Sequence, residues 1–114
     1  METIDEFTRT VEQELSEIQS LFNEYQNENF PERSPEFFCL ELNGEAGELA
    51  NAEKKRWKGK IVDESVYNDE AADVLIALMN YSNARGVNLG KAVRKKLKKI
   101  EKKRKELERQ GKEY

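Results

Sequence analysis

The sequence predicts an all-α domain, a four-helix bundle, on three observations. Apolar residues recur at three- and four-residue steps through four segments. Helix-capping residues stand where the later segments begin, and no stretch reads convincingly as a strand. With 114 residues, 37% hydrophobic and 38% charged, the chain can bury only a thin core. One domain, 1–114, is expected, and its unpaired apolar faces favour an oligomer.

The first helix is carried by Ile4, Phe7, Val11, Leu15, Ile18, Phe22 and Tyr25, one apolar stripe on an acidic segment. Gln26 to Pro35, with two prolines and several Asn and Glu residues, reads as a loop. Ser34 is placed to cap the second helix, with Pro35 in its first turn and Glu36 at the positive end of the dipole. That helix runs through Phe37, Phe38, Leu40, Ala46, Leu49 and Ala50 to about Trp57, and Lys58-Gly59-Lys60 ends it. A third begins near Asp63 or Ser65 and holds the most apolar run, Val74 to Met79. Gly86 is placed as its left-handed terminal residue. Asn88 caps a basic fourth helix of about 88–110, with Leu89, Val93, Leu97 and Ile100 on one face.

Composition narrows the chemistry. There is no histidine, which removes the usual neutral-pH acid and base, Ser-His and Cys-His nucleophile pairs, and the commonest zinc ligand. Cys39 is the lone cysteine, so no intrachain disulfide forms, and it is expected as a small buried hydrophobe. No apolar run approaches a membrane span, and the acidic start lacks the regions of a signal peptide, so a cytoplasmic protein is expected. The net charge of −3 hides a gradient. Residues 1–50 carry 13 acidic and 2 basic side chains, whereas 91–114 carry 12 basic and 4 acidic. The basic end fits either a nucleic-acid contact or a partner for acidic or phosphate groups.

Acids three residues apart leave one face of a helix, about 60° from each other. Four such pairs occur: Glu2/Asp5, Glu14/Glu17, Glu45/Glu48 and Glu70/Asp73. The last two enclose only small residues, Ala46-Gly47 and Ala71-Ala72, which would let two helix backbones approach and leave room for an ion and a phosphate. Glu70/Asp73 also leads into the most apolar helix, where charge needs a counter-charge. Carboxylates on facing helices can build a metal site, and oxygen-only ligation suits Mg²⁺ or Mn²⁺. Solvated faces pairing with the Lys-rich fourth helix explain the same spacing, and spacing alone leaves both readings open.

At these residues the sequence resembles the MazG-like all-α nucleoside triphosphate pyrophosphohydrolases. Their Glu-x-x-Glu and Glu-x-x-Asp motifs correspond to Glu45-Ala-Gly-Glu48 and Glu70-Ala-Ala-Asp73. Gly44 to Asn51, Lys54-Lys55 with Trp57, and Gly86 to Val93 are similar too, so the likeness runs from about Phe37 to Arg104. It implies a homodimer or homotetramer that cleaves an NTP or dNTP between the α- and β-phosphates, giving monophosphate and pyrophosphate. It also implies Glu45, Glu48, Glu70 and Asp73 as Mg²⁺ ligands and catalytic groups, with Mn²⁺ a substitute. Where many members have two adjacent glutamates, Gly44 precedes Glu45, and Glu41 stands one turn earlier. Lys96 fits a terminal lysine of the family, Ile100 or Lys98 stands where many members have an asparagine, and the family's arginine is replaced by Lys103 or displaced to Arg104.

Further substrate contacts are read from position. Lys54 and Lys55 follow the first acidic pair and could reach a triphosphate, or end the helix in solvent. Trp57 could stack on a base or serve as packing area. Asn80, two turns after Asp73, has the donor and acceptor to read a base edge, or is a surface amide. Two other functions fit less of the chain. Phosphoribosyl-ATP pyrophosphohydrolase shares similar acidic motifs. A non-catalytic module binding nucleic acid or protein through the basic helix is disfavoured, because aromatic residues do not interleave with its lysines.

Overall fold

The second, third and fourth predicted helices begin where a side chain can satisfy free backbone N–H groups, and the computed structural model, which describes residues 3–114, bears this out. The chain is all-α, with α1 over Thr3–Asn29, α2 over Pro35–Trp57, α3 over Glu64–Arg85 and α4 over Leu89–Arg109. Glu2, from the first acidic pair, lies outside the described residues. Ser34 Oγ accepts from the Phe37 N–H at 3.2 Å, with Pro35 in the first turn of α2. Asp63 Oδ1 accepts from both the N–H and the hydroxyl of Ser65, and Asn88 Oδ1 accepts from the Lys91 N–H. Gly86 closes α3 at φ 80°, a left-handed conformation in which only glycine is free of strain.

The first helix is longer than its sequence suggests. Gln26 to Asn29, expected in the loop, continue α1. The prolines that motivated the loop stand at 31 and 35, so nothing upstream of Pro31 removes a helical N–H. Asn29 Nδ2 donates to the Tyr25 carbonyl and the Phe30 N–H to that of Gln26, closing the last turn.

The chain divides into two compact units. One holds the described residues up to Phe22 together with Val87–Tyr114. Within it Gln19 is buried and bridges to the start of α4: its Nε2 donates to the Val87 carbonyl at 2.7 Å and its Oε1 accepts from the Leu89 N–H at 2.8 Å. Gly90 lies so close to α1 that a Cβ there would stand 2.5 Å from the Glu12 carbonyl oxygen. Arg94 pairs with Glu12 at 2.8 Å nearby.

The other unit, Asn23–Gly86, contains the end of α1 and the packed pair α2 and α3. Phe38, Ala52, Ala77 and Met79 are its buried hydrophobic residues. Cys39 is exposed, against expectation. It follows Phe38, and one residue turns about 100° around a helix, so burying the phenylalanine points the thiol outward. Much apolar surface is left uncovered within the chain, including Phe7, Ile18, Leu21 and Tyr25 on α1 and Leu40 on α2. No helix of the described residues is long and apolar enough to cross a membrane.

Candidate metal centre and adjoining cleft

The two acidic motifs meet because α2 and α3 pack side by side. Glu45, from α2, joins Glu70 and Asp73, from α3, with one ligand oxygen of each within 4.8 Å of the others. Glu48 and Asp73 each interact with both Glu45 and Glu70. Burial holds the Glu45 carboxyl above the usual carboxylate range, and the charges of Glu48 and Asp73 raise it further. Burial likewise raises Glu70, with a hydrogen bond that its protonated form donates to Glu48 and the charges of Glu48, Glu45 and Asp73 adding to it. Glu45 Oε2 and Glu70 Oε2 are sealed from solvent without a hydrogen-bond partner. Buried acceptors are rarely left so, and mutual repulsion without a counter-charge is costly. A hard divalent cation answers both defects with the oxygen donors it prefers.

The small residues within the motifs play a different part from the one expected. Ala46, Gly47, Ala71 and Ala72 are exposed, and a Cβ on Gly47 would meet nothing within 4 Å. Residues one and two after the first acid are rotated about 100° and 200° from it. When the acids face inward, the small residues between them face out.

Beside the carboxylates lies a cleft in two adjoining lobes. A lobe of about 380 Å³ contains Glu45 and Asp73, with Phe30, Phe37, Ile76 and Ala77 in its walls. A second, of about 550 Å³, is lined by amides, Asn23, Gln26, Asn27, Asn80 and Asn83. Gln26, Pro31, Arg33, Phe38 and Asn80 belong to both. Asn80 is only 8% exposed, so it is not the surface amide that its sequence position also allowed. The Arg33 guanidinium lies over the Phe37 ring, 4.8 Å from its centroid.

Of the other sequence candidates, three lie in the last turns of α2. Lys54 and Lys55 are exposed. Trp57, 91% exposed, lies about 14 Å along the α2 axis from Glu48, beside Ala50, Glu53, Lys54 and Lys58. Lys96 and Arg104 belong to α4 in the other unit. Lys96 is exposed, and Arg104 is held by Glu101 at 2.6 Å and Glu108 at 2.8 Å. Sequence reasoning misses Gln26 and Arg33, because the composition from Gln26 to Pro35 predicts a loop. The signal was present: Asn23, Gln26 and Asn27 have helical spacing and continue α1 as an amide face.

An all-α chain that gathers carboxylates from two packed helices falls in a recognisable class, helical proteins able to share a hard cation with a phosphate-bearing ligand. The family model of the MazG nucleotide pyrophosphohydrolase domain matches residues 33–107, a span that includes all four acids. The chain belongs to that family, and is a hydrolase acting on nucleotide phosphoanhydrides. Searches of curated proteins and of solved structures returned no match.

Proposed function

We propose that the protein hydrolyses a nucleoside or deoxynucleoside triphosphate between its α- and β-phosphates, releasing monophosphate and pyrophosphate. Glu45, Glu48, Glu70 and Asp73 hold Mg²⁺, with Mn²⁺ a competent substitute. The observation that carries this reading is the meeting of Glu45, Glu70 and Asp73 within 4.8 Å, with two carboxylate oxygens buried and unsatisfied. The donor set fits the ion, being all oxygen and free of the nitrogen and sulfur that favour zinc. When bound, Mg²⁺ supplies neutralisation of phosphate charge and activation of the attacking water.

The chain's own groups do the rest. A glutamate of the cluster accepts the proton that the attacking water loses. The new oxygen–phosphorus bond forms as the bridging bond breaks, and pyrophosphate leaves with the electron pair. Lys54 and Lys55 provide mobile positive charge for the departing phosphates from the end of α2, and Trp57 serves there as packing area. The whole chain, 1–114, acts as one domain of a cytoplasmic homodimer or homotetramer. The apolar faces left open on α1 and α2 support assembly, because patches of this kind mark interfaces.

The test is turnover of a panel of NTPs and dNTPs, with and without Mg²⁺, with products resolved by chromatography and a Glu70→Gln control. Metal-dependent monophosphate and pyrophosphate, absent in the control, are expected. Diphosphate and phosphate would mean that another bond is cut. Turnover of phosphoribosyl-ATP alone would move the chain to that substrate.

A further inference from the structure

We infer that the amide-lined lobe takes the nucleobase and that Asn80 reads its hydrogen-bonding edge, which makes Asn80 the specificity-determining residue. The inference rests on the nucleotide-hydrolase reading above and adds to it a substrate subsite. Three observations support it. First, Asn80 is more than nine-tenths buried and lines both lobes. Among the described residues no side-chain hydrogen bond engages its amide, whose two donors and one acceptor are left to the cleft. A ligand edge bearing a donor beside an acceptor would match an amide that no side chain engages.

Second, the register fits a nucleotide. Asp73 and Asn80 are seven residues, two turns, apart on one face of α3, about 10 Å along the axis. That separation is comparable with the reach from an α-phosphate to the far edge of its own base. Third, the walls change character along the same path. Ile76, Ala77 and the half-exposed Phe37 lie in the lobe with Glu45 and Asp73, offering apolar faces to a sugar and a base plane. Beyond Asn80 the lining is rich in amides, with Glu32 and Arg33 also in the wall. Amides pair with base edges in a bidentate manner. A volume of about 550 Å³ lies in the range of small-molecule sites.

The experiment is kcat/KM for four ribo- and four deoxynucleoside triphosphates with the wild type, Asn80→Ala and Asn80→Asp. Asn80→Ala is expected to lower kcat/KM for the preferred base by about 10- to 100-fold and to draw the remaining bases towards equality. Asn80→Asp keeps the volume but replaces two donors by an acceptor. Bases presenting an exocyclic amine, adenine and cytosine, should then gain on those presenting an exocyclic oxygen at that edge, guanine and uracil. Thermal melting shows whether each variant is folded, and the isosteric Asp variant decides should the Ala variant melt early. An equal loss for every base, with the order unchanged, would make Asn80 structural and overturn the inference. Wild-type turnover indifferent to the base would overturn it too. Wild-type turnover of no nucleotide would remove the parent reading instead, a result distinct from both.

Discussion

Glu45 on α2 and Glu70 on α3 bring carboxylate oxygens within 4.8 Å of each other, while the Oε2 of each is buried and lacks a hydrogen-bond partner. Two acids so arranged destabilise the metal-free fold and prepare it for a cation. Saturating Mg²⁺ should therefore raise the melting temperature of the wild type, by an increment equivalent to about 2.7 kcal/mol at a hundred times Kd. Glu70→Gln should melt higher than the wild type without metal, since it removes one charge from the cluster, and should lose most of the Mg²⁺ response. Its turnover should fall by more than about 100-fold, because outer partners of metal ligands alone are worth about 10- to 100-fold. Equal Mg²⁺ responses in the two proteins would place the ion elsewhere.

What made this site legible was helical geometry acting on short spacings. Glu45/Glu48 and Glu70/Asp73 share faces whatever the rest of the chain does, and Ser34, Asp63, Asn88 and Gly86 act on backbone groups within a few residues. These are local facts, written in the sequence. The cleft is not local, since Gln26, Arg33 and Asn80 come from α1, the α1–α2 connection and α3. Its detection required knowing that α1 continues to Asn29. Cys39 was misread for a related reason, because an apolar composition around it does not say which side of Phe38 faces in.

Acid should act on two sets of groups with opposite sign. Asp63 is held below its ordinary value by the Ser65 N–H and then the Ser65 hydroxyl. Glu36 is held low by its own backbone N–H, then by the Ser34 hydroxyl, with Arg85 contributing. A carboxyl whose folded pKa is depressed contributes stability that is present above its unfolded value and is lost as pH falls through the folded one. Their contribution should fade below the ordinary values of 3.8 and 4.5. Glu45 and Glu70, raised instead, relieve strain on the metal-free fold as pH falls from their folded values towards 4.5. Denaturant melts from pH 7 to pH 3 should show less loss on the acid side for Asp63→Asn than for the wild type. Parallel curves would remove the cap's charge from the account.

Gln19 ties α1 to the start of α4 through two hydrogen bonds, one of them from the buried Leu89 N–H. Gln19→Leu keeps an apolar body but leaves that N–H without an acceptor. A loss of about 1–3 kcal/mol is expected, read as a shift in the denaturant midpoint with unchanged slope. Gln19→Glu retains the acceptor for Leu89 but buries a carboxylate against the Val87 carbonyl, so it should lose stability at pH 7 and regain part of it in acid, where the protonated side chain donates to Val87. Wild-type stability in Gln19→Leu would mean that water or a rearranged backbone serves the N–H as well.

Two glycines separate what the chain packs against itself from what it leaves for a partner. Alanine exceeds glycine in a helix interior by about 1 kcal/mol, so each Gly→Ala change begins with that gain. At Gly90 the new Cβ would collide with Ser16 Oγ and lie 2.5 Å from the Glu12 carbonyl oxygen. Backbone cannot yield cheaply, and overpacking of this kind costs about 1–3 kcal/mol, so Gly90→Ala should be destabilising on balance. At Gly47 nothing lies within 4 Å, and within one chain Gly47→Ala should gain close to the full propensity term. Equilibrium unfolding at several protein concentrations distinguishes the cases. A gain at Gly47 at all concentrations leaves that face of α2 in solvent. A loss that grows with concentration, together with a lower assembly mass in light scattering, puts a second subunit against the small residues between Glu45 and Glu48.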